Sequence, residues 1–255
     1  NIAHQKCRDH RREHIWEGEL HALILPARCL AIARSVWYSG RMAKKYPRTS
    51  HLPFSPGATN DDHIMSAADF ERLLALPDFV VTEKMDGGNL TMMRDDFYAR
   101  SVDSKSQPWD SPAKALWASL RHDIPEGWRV SGESLYARRS VAYDALEAFF
   151  LVFGMWDESG ALLDWDTTAE MAELLGLHTV PVLYRGSNNI DALASWQNSG
   201  KSEETSEGFV MRSAGRIEAR DFNKLVAKWV RPDHVQTSDD WRRRDDFALN
   251  GIAAR

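Results

Sequence analysis

The run Thr82-Glu83-Lys84-Met85-Asp86-Gly87-Gly88-Asn89 constrains this chain more than any other feature. It sets one lysine beside a carboxylate and just ahead of two glycines, between two runs rich in strand formers. The glycines must interrupt an extended run, and glycine lets backbone come close to a ligand. A lysine at a strand end with such a turn can hold its amine against a phosphate. Taken alone, a K-x-D-G string fixes only three positions and is a weak motif, so its meaning depends on the residues downstream.

The runs around the motif read as an α+β chain. Residues 46–63 are rich in Pro, Ser and Gly and read as an ordered loop. Ser66-Ala67-Ala68-Asp69 resembles a capping box opening a helix to about Leu76. Strands are predicted over 79–83 and 89–93, a hairpin-like pair broken by the glycines. Others are predicted over 97–102, 128–133, 149–156, 208–212 and 225–230. Helices are predicted over 111–122, with Pro112 in the first turn, over 167–175, closed by Gly176, and over 191–197. Many strands without a regular βαβ rhythm imply mainly antiparallel sheets.

Composition excludes several classes. The balance of 43% hydrophobic and 27% charged residues is that of a globular protein. No apolar run reaches the roughly 20 residues of a membrane span. Residues 20–32 are broken by His21, Pro26 and Arg28 and make no signal peptide. Cys7 and Cys29 alone make neither a disulfide framework nor a cysteine metal site. A cytoplasmic protein without a membrane partner is the expectation. The net charge of −5 argues against nonspecific coating of nucleic acid. A local basic track would still serve a nucleic-acid enzyme, and its candidate pieces are Arg138-Arg139, Lys224, Lys228, Arg231 and Arg242-Arg243-Arg244.

Composition shifts near Met42. Residues 1–41 hold both cysteines and are locally basic, and they are read as an N-terminal extension outside the main fold, a tag-like appendage or translated sequence ahead of a native start at Met42 rather than a helical extension. His10 and His14 in that segment are spaced i, i+4 but find no third ligand, so a solvated helix face is the reading.

Taken in chain order, the residues support a definite chemistry. Strand alternation puts Thr82 and Lys84 on one face and Val81 and Glu83 on the other. No G-x-x-x-x-G-K-[ST] loop is present. Arg100 suits a phosphate. Glu133 ends a strand and could accept from ribose hydroxyls. The aromatic strand through Phe149, Phe150 and Phe153 could stack on a base, although each of these is more often core. Glu207 sets a carboxylate at a strand start. Lys224 and Lys228, four apart in an extended run, would share a face, hold a triphosphate and depress the pKa of Lys84.

This ordered set resembles the covalent nucleotidyltransferase superfamily of polynucleotide ligases and mRNA capping enzymes. It is most similar to ATP-dependent RNA ligases of the RNA-repair branch, whose lysine motif T-E-K-x-[DH]-G-x-N fits residues 82–89 at every fixed position. Gly132-Glu133-Ser134-Leu135-Tyr136-Ala137, with Ser140 and Tyr143 after it, adds to the likeness, which covers about 45–241. The resemblance implies the adenylation-domain fold over 42–255, with a central nucleotide cleft. It implies ATP and Mg²⁺ or Mn²⁺ as cofactors, and RNA 5′-phosphate and 3′-hydroxyl ends as substrates. It implies that Lys84, with Asp86 and Gly87 in its motif, is adenylylated. Glu83 would read the adenine edge, with Phe153 on its face and Asn89 and Glu133 near the ribose. Arg100 would bind phosphate, Glu207 would orient the metal, and Lys228, with Lys224, would contact the α-phosphate.

Two departures stand out. The family's last motif is usually K-x-K, whereas the cations here are Lys224, Lys228 and Arg231. Only about two dozen residues follow Val230, too few for an OB-fold domain. A DNA-nick ligase, a capping-type enzyme and a noncatalytic nucleotide- or RNA-binding module of the same fold stay open as alternatives.

Overall fold

The computed structural model describes residues 45–100, 107–187, 192–232, 234 and 248–254. The expected extension over 1–41, the His10/His14 pair and the Arg242-Arg243-Arg244 run lie outside the described residues.

Helices begin where a side chain can take up their free N–H groups. Ser66 caps α1 (Ala67–Leu74), its hydroxyl accepting from the Asp69 N–H at 3.1 Å. Pro112 sits in the first turn of α2 (Ser111–Leu120). Helix α3 (Trp165–Leu174) starts ahead of the predicted Thr167, because the Asp164 carboxylate accepts the Thr167 N–H at 2.8 Å and fixes the cap there. Helix α4 (Ala192–Asn198) lies near its predicted place, and α5 (Phe222–Leu225) is a single unforeseen turn.

The strands are β1 (Ser50–His51), β2 (Phe79–Lys84), β3 (Gly88–Met92), β4 (Phe97–Ala99), β5 (Arg129–Ser134), β6 (Phe150–Trp156), β7 (His178–Thr179), β8 (Val182–Gly186), β9 (Gly208–Ser213) and β10 (Val226–Val230). They form two five-stranded sheets, ordered β1-β10-β9-β2-β8 and β4-β3-β5-β6-β7. Among the strand pairs of the described residues, β1–β10 and β6–β7 are parallel and the rest antiparallel. The architecture is the mainly antiparallel α+β arrangement that the strand-rich pattern implies.

One expectation is corrected. β2 and β3 are not a hairpin-like pair: β2 lies between β9 and β8, whereas β3 lies between β4 and β5. Met85, Asp86 and Gly87 carry the chain from one sheet to the other. Gly87 makes that passage possible, since a Cβ there would stand 2.4 Å from the Ser134 carbonyl oxygen. A glycine pair between two extended runs is the same local signal for a tight hairpin and for a crossing between sheets.

Burial along β2 shows how the layers meet. Phe79 and Val81 pack with Leu73, Trp196, Phe209 and Trp229 under α1 and α4. Val80, between them in sequence, faces the other way onto Leu135, Val141, Leu151 and Trp165. On the second sheet, Leu90, Met92, Val130 and Val152 pack with Leu120 of α2 and Ala172 of α3. The space at the ends of β2, β3 and β5 is therefore bordered by both sheets. No helix among the described residues is long and apolar enough to cross a membrane.

Candidate active site

Strand register builds the site. Lys84 closes β2 opposite Gly208, the first residue of β9, so Glu207 falls beside it. Gly208 has φ 148°, and a Cβ there would stand 2.1 Å from the Trp229 carbonyl oxygen, so only glycine fits this strand start. Next to it, Lys228 of β10 pairs with Val210, and His51 of β1 pairs with Lys228. Lys84, Lys228, Glu207 and His51 are thus gathered on one sheet from four separate stretches of chain.

The second sheet supplies the facing groups. Asn89 of β3 is opposite Glu133 of β5. The Glu133 carboxylate accepts the Gly87 N–H at 3.1 Å, tying this sheet to the lysine motif. In β6, Val152 and Gly154 oppose Gly132 and Ser131, leaving Phe153 as the extra residue of a β-bulge. Bulges re-aim a side chain, and Phe153 is the one incompletely buried residue of this strand. Its ring meets Tyr46 edge-on at 5.1 Å.

Asp86 is buried and held from several sides. Its Oδ2 accepts from the Ser140 hydroxyl at 2.6 Å and from the Val141 N–H at 2.9 Å, while its own N–H donates to the Tyr143 hydroxyl at 2.9 Å. Ser140 and Tyr143, singled out by sequence, are therefore the supports of Asp86.

Lys84 and Glu207 form a short ion pair, Nζ to Oε1 at 2.5 Å. His234 Nε2 lies 2.9 Å from the same oxygen. Burial opposes charge on Lys84, but Glu207 and then Glu133 outweigh it, and the amine is held above the ordinary lysine value. This corrects the expectation that neighbouring cations depress it. The effect runs the other way: burial first and Lys84 second bring Lys228 down to about 8. Burial raises Glu207, yet Lys84 and His234 overcome this and bring it down to about 2. Glu133 goes up to about 7, chiefly through burial. His51, buried beside Lys228, goes down to about 4 through burial and that neighbouring charge.

Lys224 is not brought to this site. It lies on α5 rather than in the strand, half exposed, with its amine 2.9 Å from Asp221. The extended run begins only at Val226, so the four-residue spacing does not place both lysines on one strand face. Arg100 is exposed, and its charge is among those opposing protonation of Lys228.

Glu83 is buried, with one oxygen 2.9 Å from Lys201 Nζ and the other without a hydrogen-bond partner. Asn89 Oδ1 is also buried and unpartnered. Orphaned buried acceptors of this kind suit a ligand that brings donors. Ligand atoms of Asp86, Glu207 and His234 lie within 4.8 Å of one another, a donor set of two carboxylates and one imidazole. Such a set suits a divalent cation such as Mn²⁺.

Sequence reasoning misses His51, Lys201 and His234. Each lies in a short or irregular stretch, joins the site only through pairing or a loop, and has no motif spacing to announce it.

The RNA ligase family model matches residues 77–230, more than half of the chain. No curated protein matches the sequence. Among solved structures, the archaeal ATP-dependent RNA ligase in form 1 is similar with TM-score 0.52 and 16% identity, covering 74% of this chain and 48% of that one. Its form 2 gives TM-score 0.51 with the same 16% identity and the same 74% and 48% coverage. A Naegleria gruberi RNA ligase variant with AMP and Mn gives TM-score 0.47 and 17% identity, over 76% and 59% of the two chains. This chain spans about half the length of the archaeal ligases. At such identities the archaeal likeness shows the fold.

Proposed function

Because the chain belongs to the RNA ligase family, we propose that it seals RNA 5′-phosphate and 3′-hydroxyl ends at the expense of ATP. The Lys84 amine attacks the α-phosphorus, a P–N bond forms, and pyrophosphate leaves. An oxygen of the RNA 5′-phosphate then takes the AMP and frees the lysine. The 3′-hydroxyl attacks that activated phosphate, forms the phosphodiester and releases AMP.

The observation that carries this reading is the gathering of Lys84, Glu207 and Lys228 at neighbouring positions of the first sheet, with Glu133 of the second sheet close enough to act on the Lys84 charge. Lys228 sits close enough to Lys84 for their charges to oppose each other, which suits two cations meant to share a phosphate. Glu83 Oε1 and Asn89 Oδ1 offer unpartnered acceptors to a base and a ribose. Phe153, re-aimed by its bulge, suits the base face.

Asp86, Glu207 and His234 would hold Mg²⁺ or Mn²⁺. Such an ion supplies charge neutralisation at a triphosphate. The chain's own residues must do the rest. Lys84 has to lose its proton to solvent before it attacks, and so its ion pair with the Glu207 carboxylate must open first. Lys228 then stabilises charge on the α-phosphate oxygens, and preorganised charge of this kind usually contributes more to such catalysis than any other single effect.

The test is incubation with ATP labelled at the α-phosphate and Mg²⁺ or Mn²⁺, followed by denaturation. Label on the protein that is absent in Lys84→Ala and with GTP supports the reading. Label retained in Lys84→Ala overturns the nucleophile. No label on folded, fully deadenylylated protein favours a noncatalytic nucleotide- or RNA-binding module. Activity on nicked DNA or with GTP points instead to a nick ligase or a capping-type enzyme.

A further inference from the structure

Asp86 owes its placement to the stretch from Leu135 to Tyr143, which comes after β5. That stretch supplies the Ser140 hydroxyl, the Val141 N–H and the Tyr143 hydroxyl that hold Asp86. Beyond the Leu135 N–H, which donates to the Phe149 carbonyl at 2.7 Å, it is irregular and continues neither sheet. Residues 248–253 brace it. The Arg138 N–H donates to the Ala248 carbonyl at 2.8 Å, and the Gly251 N–H donates to the Tyr143 carbonyl at 2.7 Å. The Leu146 N–H donates to the Gly251 carbonyl at 2.9 Å, and the Ala253 N–H donates to the Leu146 carbonyl at 2.9 Å.

Asn250 joins the two ends of the stretch with one side chain. Its Nδ2 donates to the Leu135 carbonyl at 2.7 Å, and its Oδ1 accepts the Tyr143 N–H at 3.0 Å. The residue is 5% exposed. Its partners are a carbonyl and an N–H, so the amide can sit only one way round. An asparagine that closes the excursion from Leu135 to Tyr143, at the residue whose hydroxyl receives the Asp86 N–H, is one side chain removed from the lysine motif.

We propose that Asn250 is a positioning residue for the nucleotidyl-transfer site, acting through Tyr143 on Asp86. The inference rests on the functional reading above. The chemistry is that of an outer support: Asn250 touches neither nucleotide nor metal, but it fixes Tyr143, whose hydroxyl fixes the Asp86 backbone. Loss of such supports typically lowers activity roughly 10- to 100-fold.

The test compares single-turnover lysine adenylylation of the full chain with Asn250→Ala, Tyr143→Phe and the double variant, each with its thermal midpoint. Tyr143→Phe keeps the ring and removes only the hydroxyl. Each single variant should lower the rate constant of the folded protein by roughly 10-fold or more. The double variant should be no slower than Asn250→Ala, because both act along one path. A purely structural Asn250 would lower the midpoint and leave the rate constant of folded protein unchanged, and that result overturns the proposal. So does a double variant whose losses multiply. Should Asn250→Ala not fold, Asn250→Asp, which keeps the acceptor and loses the donor, carries the same comparison. Absence of labelling in the unaltered chain overturns the functional reading and this inference with it. Labelling with unchanged variants overturns the inference alone.

Discussion

Lys84 and Glu207 stand 2.5 Å apart at the ends of adjacent strands, and each is the main charge acting on the other. The pair drives the amine up and the carboxyl down. In the absence of nucleotide the proposed nucleophile is therefore a protonated, guarded lysine, and Glu207 is what guards it.

Replacing Glu207 with Gln removes the anion that holds the Lys84 proton, while burial and Lys228 still oppose it. The amine should then titrate at lower pH. Reductive methylation of Lys84, read by mass spectrometry across roughly pH 7–10 around the lysine range, should be faster in Glu207→Gln at every pH below the plateau. Superimposable profiles would remove Glu207 as the cause of the upward shift. Adenylylation should nonetheless fall, since Glu207 is also a proposed cation ligand.

Lys84→Met should destabilise the fold, because it leaves a buried carboxylate with His234 as its remaining close partner. Breaking a buried pair costs about 3 kcal/mol, and the partly exposed lysine makes the lower end of that range the expectation. The double variant Lys84→Met/Glu207→Gln should recover much of the loss. Equal stability of the two variants in denaturant would show that the pair carries no such energy.

Buried His51 and half-buried Glu133 should tilt stability in opposite directions over one pH range. His51 is held down at about 4 in the fold, so between there and the unfolded value near about 6.5 the unfolded chain binds the extra proton. Stability from His51 is thus lost as pH falls. Glu133 is held up at about 7, so between the unfolded value of about 4.3 and that raised value the folded chain binds the extra proton and stability rises as pH falls. The two slopes, each at most about 1.4 kcal/mol per pH unit, offset each other in the unaltered chain. His51→Asn should expose the Glu133 slope and Glu133→Gln the His51 slope, in denaturation curves at about pH 5 and about pH 6.5. Parallel behaviour of all three chains would sink the assignment.

Lys224 and Lys228 should part company. Lys228→Ala should slow adenylylation by roughly 10²–10³. Lys224→Ala removes a half-exposed cation paired with Asp221 on α5 and should leave the rate within about twofold, the change expected for a surface ion pair. A comparable loss in both variants would return Lys224 to the site.

Much of this is legible in the chain. Strand and helix positions follow alternation and caps, and Ser66 and Pro112 do locally what their chemistry predicts. The lysine motif and the two carboxylates Glu133 and Glu207 are read from short runs that each form a strand end. The features that escape such reading are set by partners distant in sequence. Nothing local separates a hairpin from a crossing between sheets at Gly87, and nothing in β6 announces that Phe153 is the bulged residue. Spacing misplaces Lys224 because α5 gives way directly to β10, a boundary that no glycine or proline marks. The charge on Lys84 depends on which ion is nearer, and spacing cannot show that the nearest is an anion.

The parallel seam between Ser50–His51 and Ala227-Lys228 has a consequence for how the molecule comes into being. Beside it, the Val230 N–H donates to the Ser55 hydroxyl across 175 residues of sequence, while Lys84 waits on Glu207 and His234 from the same late stretch. Contacts this remote along a chain form slowly and together. A ribosome that has released β2 but still shields β10 in its exit tunnel thus carries a lysine with neither guard nor neighbouring cation. Competence should arrive in a single late event of synthesis, and no earlier fragment should take up label from ATP.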